Sequence, residues 1–208
     1  MKDIEKVLSA GPLSMHDEER QAAHAARLFS ARAASEGLAD IGYASVDSPF
    51  GTFTAASTSE GLVRLAFPEE PLEEVLERLA AKLSPRIVEA PARFEQVRRE
   101  LDEYFAGARR DFDVALDRVL MSAFAQKVLA ATAAIPYGSV STYTEMAAAA
   151  GSPRGSRAAG NALGSNPIPV IVPCHRVLRT GGNLGGYGGG LNRKRWLLEL
   201  EGALTPRL

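Results

Sequence analysis

Cys174 is the residue with the clearest chemical potential, because it is the only cysteine in the 208-residue chain and two basic side chains follow it directly. It lies in the segment 173–176, Pro-Cys-His-Arg, after an apolar run over 166–172 that predicts a strand. A free thiol has a pKa of roughly 8.5, so it is a good nucleophile at neutral pH only beside a base or a positive charge. His175 and Arg176 are the candidates, and an inert buried thiol is the alternative.

The position of His175 next to the thiol does not by itself make it the base. Neighbouring residues on a strand point to opposite faces, so the imidazole of His175 would reach the sulfur of Cys174 only through a bridging water or if a turn follows Pro173. The sequence leaves both possibilities open.

The cysteine count excludes structural cross-linking by the thiol. One cysteine cannot form an intramolecular disulfide, and three histidines, His16, His24 and His175, cannot complete a zinc site with it. Residues 1–13 carry charges where a secretory signal would be apolar, and no stretch approaches the roughly 18 apolar residues of a membrane span. We therefore predict a cytoplasmic protein with a reduced thiol, no metal, no cofactor and no membrane partner.

Charge is distributed unevenly along the chain. The composition, 46% hydrophobic and 24% charged, is that of a globular protein long enough for two small domains. Residues 1–119 contain 15 Lys and Arg against 22 Asp and Glu, a net charge of −7, whereas residues 120–208 contain 9 against 3, a net charge of +6. A basic excess of this kind favours a polyanion partner, although it is also found on surfaces that are merely solvated. Cys174 lies in the basic part.

The acidic part predicts a helix followed by a small α/β domain. Ser14 is a plausible N-cap and Gly37 a plausible end for the helix, and turn residues separate three β-rich runs that we expect to form an antiparallel meander. The predicted elements are a helix over 14–36, strands over 41–46, 52–57 and 62–67, helices over 71–83 and 92–106, and an extended segment over 108–119.

The basic part predicts a helix over 122–134 that Pro136 ends, and then two short helices over 142–150 and 153–163. The last of these has Ser152 as its expected N-cap and Pro153 at its first position. Two short helices across a tight turn indicate a helix-turn-helix, although many helical hairpins have the same spacing.

The second short helix carries very small residues beside one long cation, in the order Arg157, Ala158, Ala159, Gly160, Asn161 and Ala162. Small side chains let a helix backbone approach a grooved partner closely, and Arg157 could reach into that partner or pair with phosphate. The alternative is that the small residues pack against a neighbouring helix.

Several motifs together resemble one family. Pro-Cys-His-Arg-Val at 173–177 follows Asn-Pro-Ile-Pro at 166–169 and precedes Gly-Gly-Tyr-Gly-Gly-Gly at 185–190 and Trp-Leu-Leu-Glu-Leu-Glu-Gly at 196–202. Ile-Pro-Tyr-Gly, Ser-Thr-Tyr and Ser-Arg-Ala-Ala-Gly-Asn-Ala come earlier, at 135–138, 141–143 and 156–162. In order and spacing these motifs resemble the O6-alkylguanine-DNA alkyltransferases, the methylated-DNA–protein-cysteine methyltransferases.

This resemblance implies an α+β fold. It places a small N-terminal α/β RNase H-like domain over 41–119 and a C-terminal winged helix-turn-helix domain over 120–208. The helical extension over 1–40 has no counterpart in this resemblance. The resemblance also implies that the protein transfers an alkyl group irreversibly, in a single turnover, from O6 of guanine or O4 of thymine to its own cysteine. The implied partner is double-stranded DNA containing O6-alkylguanine, bound by a monomer that flips the damaged nucleotide out of the stack.

The family's functional residues carry over onto this sequence. Cys174 would be the alkyl acceptor, His175 would deprotonate it through a water, and Glu201 would orient the imidazole; a solvated surface carboxylate is the alternative for Glu201. Tyr143 would donate a proton or hydrogen bond to the leaving base, and Asn166 would hold the turn before the thiol. The implied DNA-binding residues, with Arg157 entering the base stack, are Ser152, Arg154, Arg157, Ala158, Ala159 and Gly160. The implied pocket residues are Pro169, Val177, Tyr187 and Gly188.

Two departures from the family pattern stand out. Gly188 occupies a position where many relatives carry a hydroxyl residue, so only its backbone can donate there. Residues 124–129 read Phe-Ala-Gln-Lys-Val-Leu where the family usually has Phe-Gln-x-x-Val-Trp, a change that we expect to affect packing more than chemistry.

Three other classes of protein fit part of the pattern. A non-catalytic lesion-binding relative would flip the base without transfer, but such proteins typically have Trp at the position of Cys174. A winged-helix regulator would share the helix pair and the basic charge, but it would not need the Pro-Cys-His-Arg segment. A cysteine hydrolase would need a separate histidine facing the thiol, and His16 and His24 are poor candidates.

Overall fold

The computed structural model describes residues 16–17, 20–22, 24–25, 32 and 37–205. The helix predicted over 14–36, with its proposed N-cap Ser14, therefore lies largely outside the described residues. Among the residues described, no helix is both long and apolar enough to cross a membrane.

The first sheet contains β1 (Ile41–Val46), β2 (Phe53–Ser57), β3 (Leu62–Ala66) and β4 (Ile87–Glu89), in the order β3-β2-β1-β4. The antiparallel meander of β1, β2 and β3 confirms the sequence prediction. The sequence missed β4, which runs parallel to β1 with Ile41 opposite Ile87. Three residues are too few to show the alternation that identifies a strand.

Two helices cover this sheet. Helix α1 (Leu72–Lys82) buries Val75 and Leu79, and α2 (Glu95–Phe105), entered through a 3₁₀ turn over Pro91–Phe94, buries Val97, Leu101 and Tyr104. Both match predicted helices.

The segment predicted as extended over 108–119 forms no strand of its own. It pairs with β3 at a single bridge, where the Leu62 N–H donates to the Ala115 carbonyl over 2.8 Å and the Asp117 N–H donates to the Leu62 carbonyl over 2.9 Å.

The second half of the chain is mainly helical. Helix α3 (Ala123–Ala133) begins at the N-cap Ser122, whose side chain accepts from the Ala125 N–H. Helix α4 (Tyr143–Ala149) begins with a complete capping box between Thr142 and Glu145. Helices α5 (Ser156–Gly164) and α6 (Leu191–Leu200) complete the set, and β5 (Ser141–Thr142) pairs in parallel with β6 (Val177–Leu178).

Helix α5 starts later than the sequence predicted. Ser152 is not its N-cap, and residues 152–155 instead form a turn closed by a 2.7 Å hydrogen bond from the Gly155 N–H to the Ser152 carbonyl. The helix begins only after this turn, with Gly155 in the capping position. The Ser-Pro pair therefore initiates a turn, an alternative that these residues favour as readily as a helix start.

The two halves share one hydrophobic core. Buried residues from the first sheet and α2, among them Phe53 and Tyr104, belong to the same cluster as Val128 of α3 and Leu197 of α6. A backbone hydrogen bond of 2.8 Å from the Leu65 N–H of β3 to the Pro167 carbonyl adds a direct link to the segment that precedes Cys174.

Gly61 gives a test of the bridge between β3 and the 108–119 segment. Its φ is +146°, and a Cβ at this position would lie well inside van der Waals contact with the Ala115 carbonyl oxygen. We expect Gly61→Ala to lower the free energy of unfolding by about 2 kcal/mol, because strain of this kind costs about 1–3 kcal/mol. Denaturant unfolding checks this, with Gly164→Ala as the control, since a Cβ at that helical glycine meets nothing within 4 Å. Equal stabilities for the two variants would contradict the prediction.

Candidate active site

A turn, not a strand, presents Cys174. The run over 166–172 that predicts a strand instead forms a loop with one short bridge between Pro169 and Val172. Val170 has a φ of +72°, which makes it the one non-glycine residue with positive φ in the described part of the chain. The run over 166–172 is apolar because it is buried and not because it forms a strand, since residues 166–178 are all buried.

The side chain of Asn166 holds this loop. Its amide nitrogen donates to the Val172 carbonyl over 2.9 Å and lies 3.1 Å from Sγ of Cys174, while its amide oxygen accepts from the Ile168 N–H over 3.0 Å. These contacts place an amide donor against the sulfur. The sequence-based hypothesis for Asn166 was a turn-holding role, and the geometry adds a direct contact with the thiol.

A 3₁₀ turn over Cys174–Arg176 follows Pro173. Of the two possibilities that the sequence left open for His175, the structure thus contains the turn after Pro173. The turn removes the opposite-face constraint that a strand would have imposed on Cys174 and His175. Both side chains are buried.

Burial dominates the protonation of both groups. It raises the pKa of the Cys174 thiol, and the Asn166 amide and the nearby Lys194 charge oppose this shift. Burial also lowers the pKa of His175, against the effect of the Glu201 carboxylate. At neutral pH the thiol is therefore protonated and the imidazole is neutral.

Glu201, at the end of α6, accepts hydrogen bonds from three side chains. His175 Nε2 lies 2.9 Å from its carboxylate, Arg176 donates through Nε and Nη2 over 2.9 Å each, and the Tyr104 hydroxyl donates over 2.6 Å. Burial alone would raise the pKa of Glu201, but the hydrogen bonds from His175 and Arg176 lower it to about 2. The alternative of a solvated surface carboxylate is wrong, because Glu201 is only 5% exposed.

The ionised carboxylate fixes the imidazole tautomer. A carboxylate can only accept, so Nε2 of His175 carries the proton that it donates to Glu201. Nδ1 of His175 is then the basic nitrogen, and it is buried with no hydrogen-bond partner among the described residues. The arrangement leaves a base, backed by a buried anion, on the residue next to the thiol.

Two members of this network were not identified from the sequence in these roles. Tyr104 belongs to α2 and lies 97 positions away from Glu201. Arg176 was a candidate charge for the thiol, but it pairs with Glu201 and donates through Nη1 to the Ile135 carbonyl over 2.6 Å. No spacing in the sequence signals either partner.

Cys174 lies in a cavity of about 160 Å³ between α5 and the glycine-rich loop. Tyr143, Tyr187 and Gly188, which the family resemblance places near the reacting base, line this cavity together with the thiol. The residues that the sequence did not assign to it are Gly160, Leu163, Gly164 and Gly186.

Two of the predicted pocket residues do not line this cavity. Val177 is fully buried in β6, where its carbonyl accepts from Lys194, and Pro169 is buried in the bridge with Val172. The family resemblance implied a pocket role for both, but the loop and the 3₁₀ turn place them in the core.

Lys194 is a further residue that the sequence analysis missed. Its Nζ is buried and donates to the Val177 carbonyl over 2.5 Å, to the Leu184 carbonyl and, at 3.4 Å, to the Gly186 carbonyl. Burial lowers the pKa of Lys194 to about 8. Its ammonium group thus fixes the start of the glycine-rich loop and places a positive charge near the thiol.

Helix α5 divides its small residues between two faces. Ala159 and Ala162 are buried against the other helices, so their assignment to a DNA-facing surface is wrong. Arg157, Ala158 and Asn161 are exposed on the opposite face, as is Arg154 before the helix, and Ser152 is half-buried. The helical repeat of 3.6 residues turns positions 159, 162 and 163 inward together.

Both halves of the chain match family models. Residues 41–118 match the ribonuclease-like domain of 6-O-methylguanine DNA methyltransferase, and residues 123–203 match the DNA binding domain of the same family. A methylated-DNA–protein-cysteine methyltransferase of Mycobacterium bovis is 43% identical over 166 residues, which cover 80% of this chain and 95% of the relative. One from Methanosarcina acetivorans is 39% identical over 161 residues, covering 77% and 98%.

Solved structures agree with this match. Mycobacterium tuberculosis OGT in complex with DNA superposes with a TM-score of 0.67 at 41% identity, covering 78% of this chain and 93% of that one. The O6-methylguanine-DNA methyltransferase of the hyperthermophilic archaeon Pyrococcus kodakaraensis gives a TM-score of 0.54 at 27% identity, covering 78% and 99%. The chain therefore belongs to the 6-O-methylguanine DNA methyltransferase family.

Proposed function

We propose that this protein repairs duplex DNA by transferring an alkyl group from O6 of guanine, or from O4 of thymine, to Sγ of its own Cys174. The observation that carries this proposal is the thiol in a cavity beside α5, directly followed by a neutral imidazole that is hydrogen-bonded to a buried carboxylate. This combination supplies a nucleophile, a base and a counter-charge for the base.

The transfer is an in-line displacement at the alkyl carbon. The thiol proton passes through a water to Nδ1 of His175, and the imidazolium that forms is stabilised by the Glu201 carboxylate. The sulfur then forms a bond to the alkyl carbon while the bond from that carbon to O6 of guanine breaks. Because the thioether has no route back to a thiol here, the protein reacts once.

The leaving base needs a proton as negative charge develops on it. Tyr143 lines the cavity, and burial raises the pKa of its hydroxyl, so the group stays protonated and is able to donate. At rest this hydroxyl donates to the Gly186 carbonyl over 3.3 Å, a long hydrogen bond that an incoming base would replace.

The target base has to leave the helix to reach this cavity, because a stacked guanine cannot present its O6 substituent to a buried thiol. Arg157 is exposed on α5, the helix whose Gly160, Leu163 and Gly164 line the cavity, and this exposure supports a role for its side chain in filling the vacated position in the stack. The exposed Ala158 beside it allows close approach to a groove.

The remaining assignments are also part of the proposal. These are the preference for O6-alkylguanine, a monomeric state, a cytoplasmic location, and the division into an extension over 1–40, a first domain over 41–119 and a second domain over 120–208.

Methyl transfer to Cys174 is tested by intact-protein mass spectrometry after incubation with a duplex containing O6-methylguanine. We expect the mass to increase by one methylene unit, because a methyl group replaces the thiol proton, and Cys174→Ala to abolish the gain. An unmethylated duplex is the control. No gain with the wild-type protein would favour a non-catalytic lesion-binding role, and a gain that survives Cys174→Ala would show a different acceptor.

The role of Arg157 in base flipping is tested by comparing two substrates. Arg157→Ala should slow reaction with a methylated duplex by about tenfold, since one lost contact of about 1.4 kcal/mol has that effect, and leave reaction with a free alkylguanine base nearly unchanged. Arg195→Ala, which removes one positive charge from α6, is the control. Equal losses by Arg157→Ala on both substrates would refute the flipping role.

The buried Glu201 carboxylate predicts a pH-dependent stability. Its pKa falls from 4.5 to about 2 on folding, so its contribution is complete above about pH 4.5 and is lost as the pH falls towards 2. Glu201→Gln should lower the free energy of unfolding by about 3 kcal/mol at pH 7. The difference from wild type should shrink by about 1.4 kcal/mol per pH unit below pH 4.5.

Urea unfolding across this pH range measures the difference, and Glu77→Gln, which changes an exposed carboxylate of α1, is the control. A difference between wild type and Glu201→Gln that stays constant down to pH 3 would contradict the lowered pKa.

A further inference from the structure

The glycine-rich loop over 185–190 has little means of fixing its own conformation. Five of its six residues are glycine, and glycine loses more conformational freedom on folding than any other residue. Tyr187 and Gly188 of this loop line the cavity around Cys174, so the shape of the cavity depends on contacts that hold the loop from outside.

One such contact comes from the first domain. Phe67 directly follows β3, and a Cβ on Gly189 would lie 2.5 Å from Cζ of its ring, so the loop backbone rests against that ring. The Phe67 ring also meets the Tyr187 ring edge-on, with centroids 5.8 Å apart and an interplanar angle of 72°. The Phe53 ring of β2 packs edge-on against the Phe67 ring, with the ring centroids 5.5 Å apart.

A cation completes the contact. The Arg193 guanidinium lies 5.1 Å from the centroid of the Phe67 ring, and its Nη1 donates to the Gly189 carbonyl over 3.1 Å. Nη1 also donates to the Glu69 carboxylate over 2.8 Å, and Nη2 bonds the other carboxylate oxygen. Arg193 thus joins the end of the loop to two residues of the first domain.

We propose that Phe67 and Glu69 are positioning residues for alkyl transfer, acting through Gly189, Tyr187 and Arg193 to set the distance between the loop and Cys174. This inference rests on the proposed function. We call Phe67, Glu69, Gly189 and Arg193 the loop clamp. Displacement requires the alkyl carbon, the sulfur and O6 in line, and a misplacement of about 1 Å can slow such a step by about a hundredfold.

The loop clamp differs from the contacts of Lys194. Lys194 binds the Leu184 and Gly186 carbonyls at the start of the loop and belongs to the same domain as the thiol. Phe67 and Glu69 lie at the opposite end of the loop and on the other domain. Neither residue lines the cavity and neither belongs to α5, so we expect their effect in the transfer step and not in DNA binding.

The first experiment separates binding from transfer with the full-length protein. Phe67→Leu should lower the single-turnover rate at saturating O6-methylguanine duplex by about tenfold, and Glu69→Gln by a smaller factor, with unchanged dissociation constants for the duplex. The matched controls are Phe94→Leu, at a buried first-domain phenylalanine, and Glu73→Gln, at an exposed carboxylate of α1. Both controls should keep the wild-type rate.

The second experiment is a double-mutant cycle across the contact. Gly189→Ala forces its methyl group into the Phe67 ring, so it should slow transfer by about tenfold or more. In a Phe67→Ala background the ring is gone, so the same Gly189→Ala change should cost clearly less. Such non-additivity is expected only for residues that act through a shared contact.

Each outcome has a distinct meaning. Wild-type rates for Phe67→Leu and Glu69→Gln, or factors that simply multiply in the cycle, would overturn the positioning role while leaving the proposed function intact. If the wild-type protein gains no methyl group, the proposed function fails and this inference fails with it. If the Phe67 variants do not fold, the Glu69→Gln and Glu73→Gln pair still decides the question, because it changes only exposed carboxylates.

Discussion

The buried carboxylate of Glu201 is the interaction on which the rest of the site depends. An ionised carboxylate away from water is costly unless it is paired and fully hydrogen-bonded, and here His175, Arg176 and Tyr104 all donate to it. Satisfying this charge fixes the turn after Pro173, the end of α6 and the hydroxyl of α2 in one arrangement. It also fixes which nitrogen of His175 is basic.

The resting protonation states follow from the same burial. A neutral thiol beside a neutral imidazole is a poor nucleophile, because the thiolate is the reactive form. This state suits a protein that can react only once, since a protonated thiol reacts slowly with other electrophiles. Lys194 and the Asn166 amide then favour the thiolate, and the Glu201 carboxylate favours the imidazolium, so each charge of the pair that transfer requires has its own partner.

The first domain is more than a scaffold in this arrangement. Tyr104 supplies one of the hydrogen bonds to Glu201, Leu65 bonds the backbone before Cys174, and Phe67 supports the glycine-rich loop. These contacts come from α2, from β3 and from the residue that follows β3, and the two halves of the chain share one core. The reactive centre is therefore assembled at the junction between the two matched regions and is not contained in the second alone.

The sequence by itself determined the elements and the reactive residue. Helix-ending residues such as Pro136, turn residues between the strands and the ordered motifs around Cys174 are local signals, and local signals decide where elements end and which family a chain resembles. The sequence-based prediction was wrong where a local signal fits two structures. Ser152 fits a helix N-cap or a turn, and the apolar run before Pro173 fits a strand or a buried loop. Only the tertiary structure decided that Ala159 faces inward, that Val177 and Pro169 leave the cavity, and that Tyr104 and Lys194 enter the site. These outcomes depend on which surfaces pack together, and a hydrogen bond between residues 97 positions apart leaves no trace in the spacing of either.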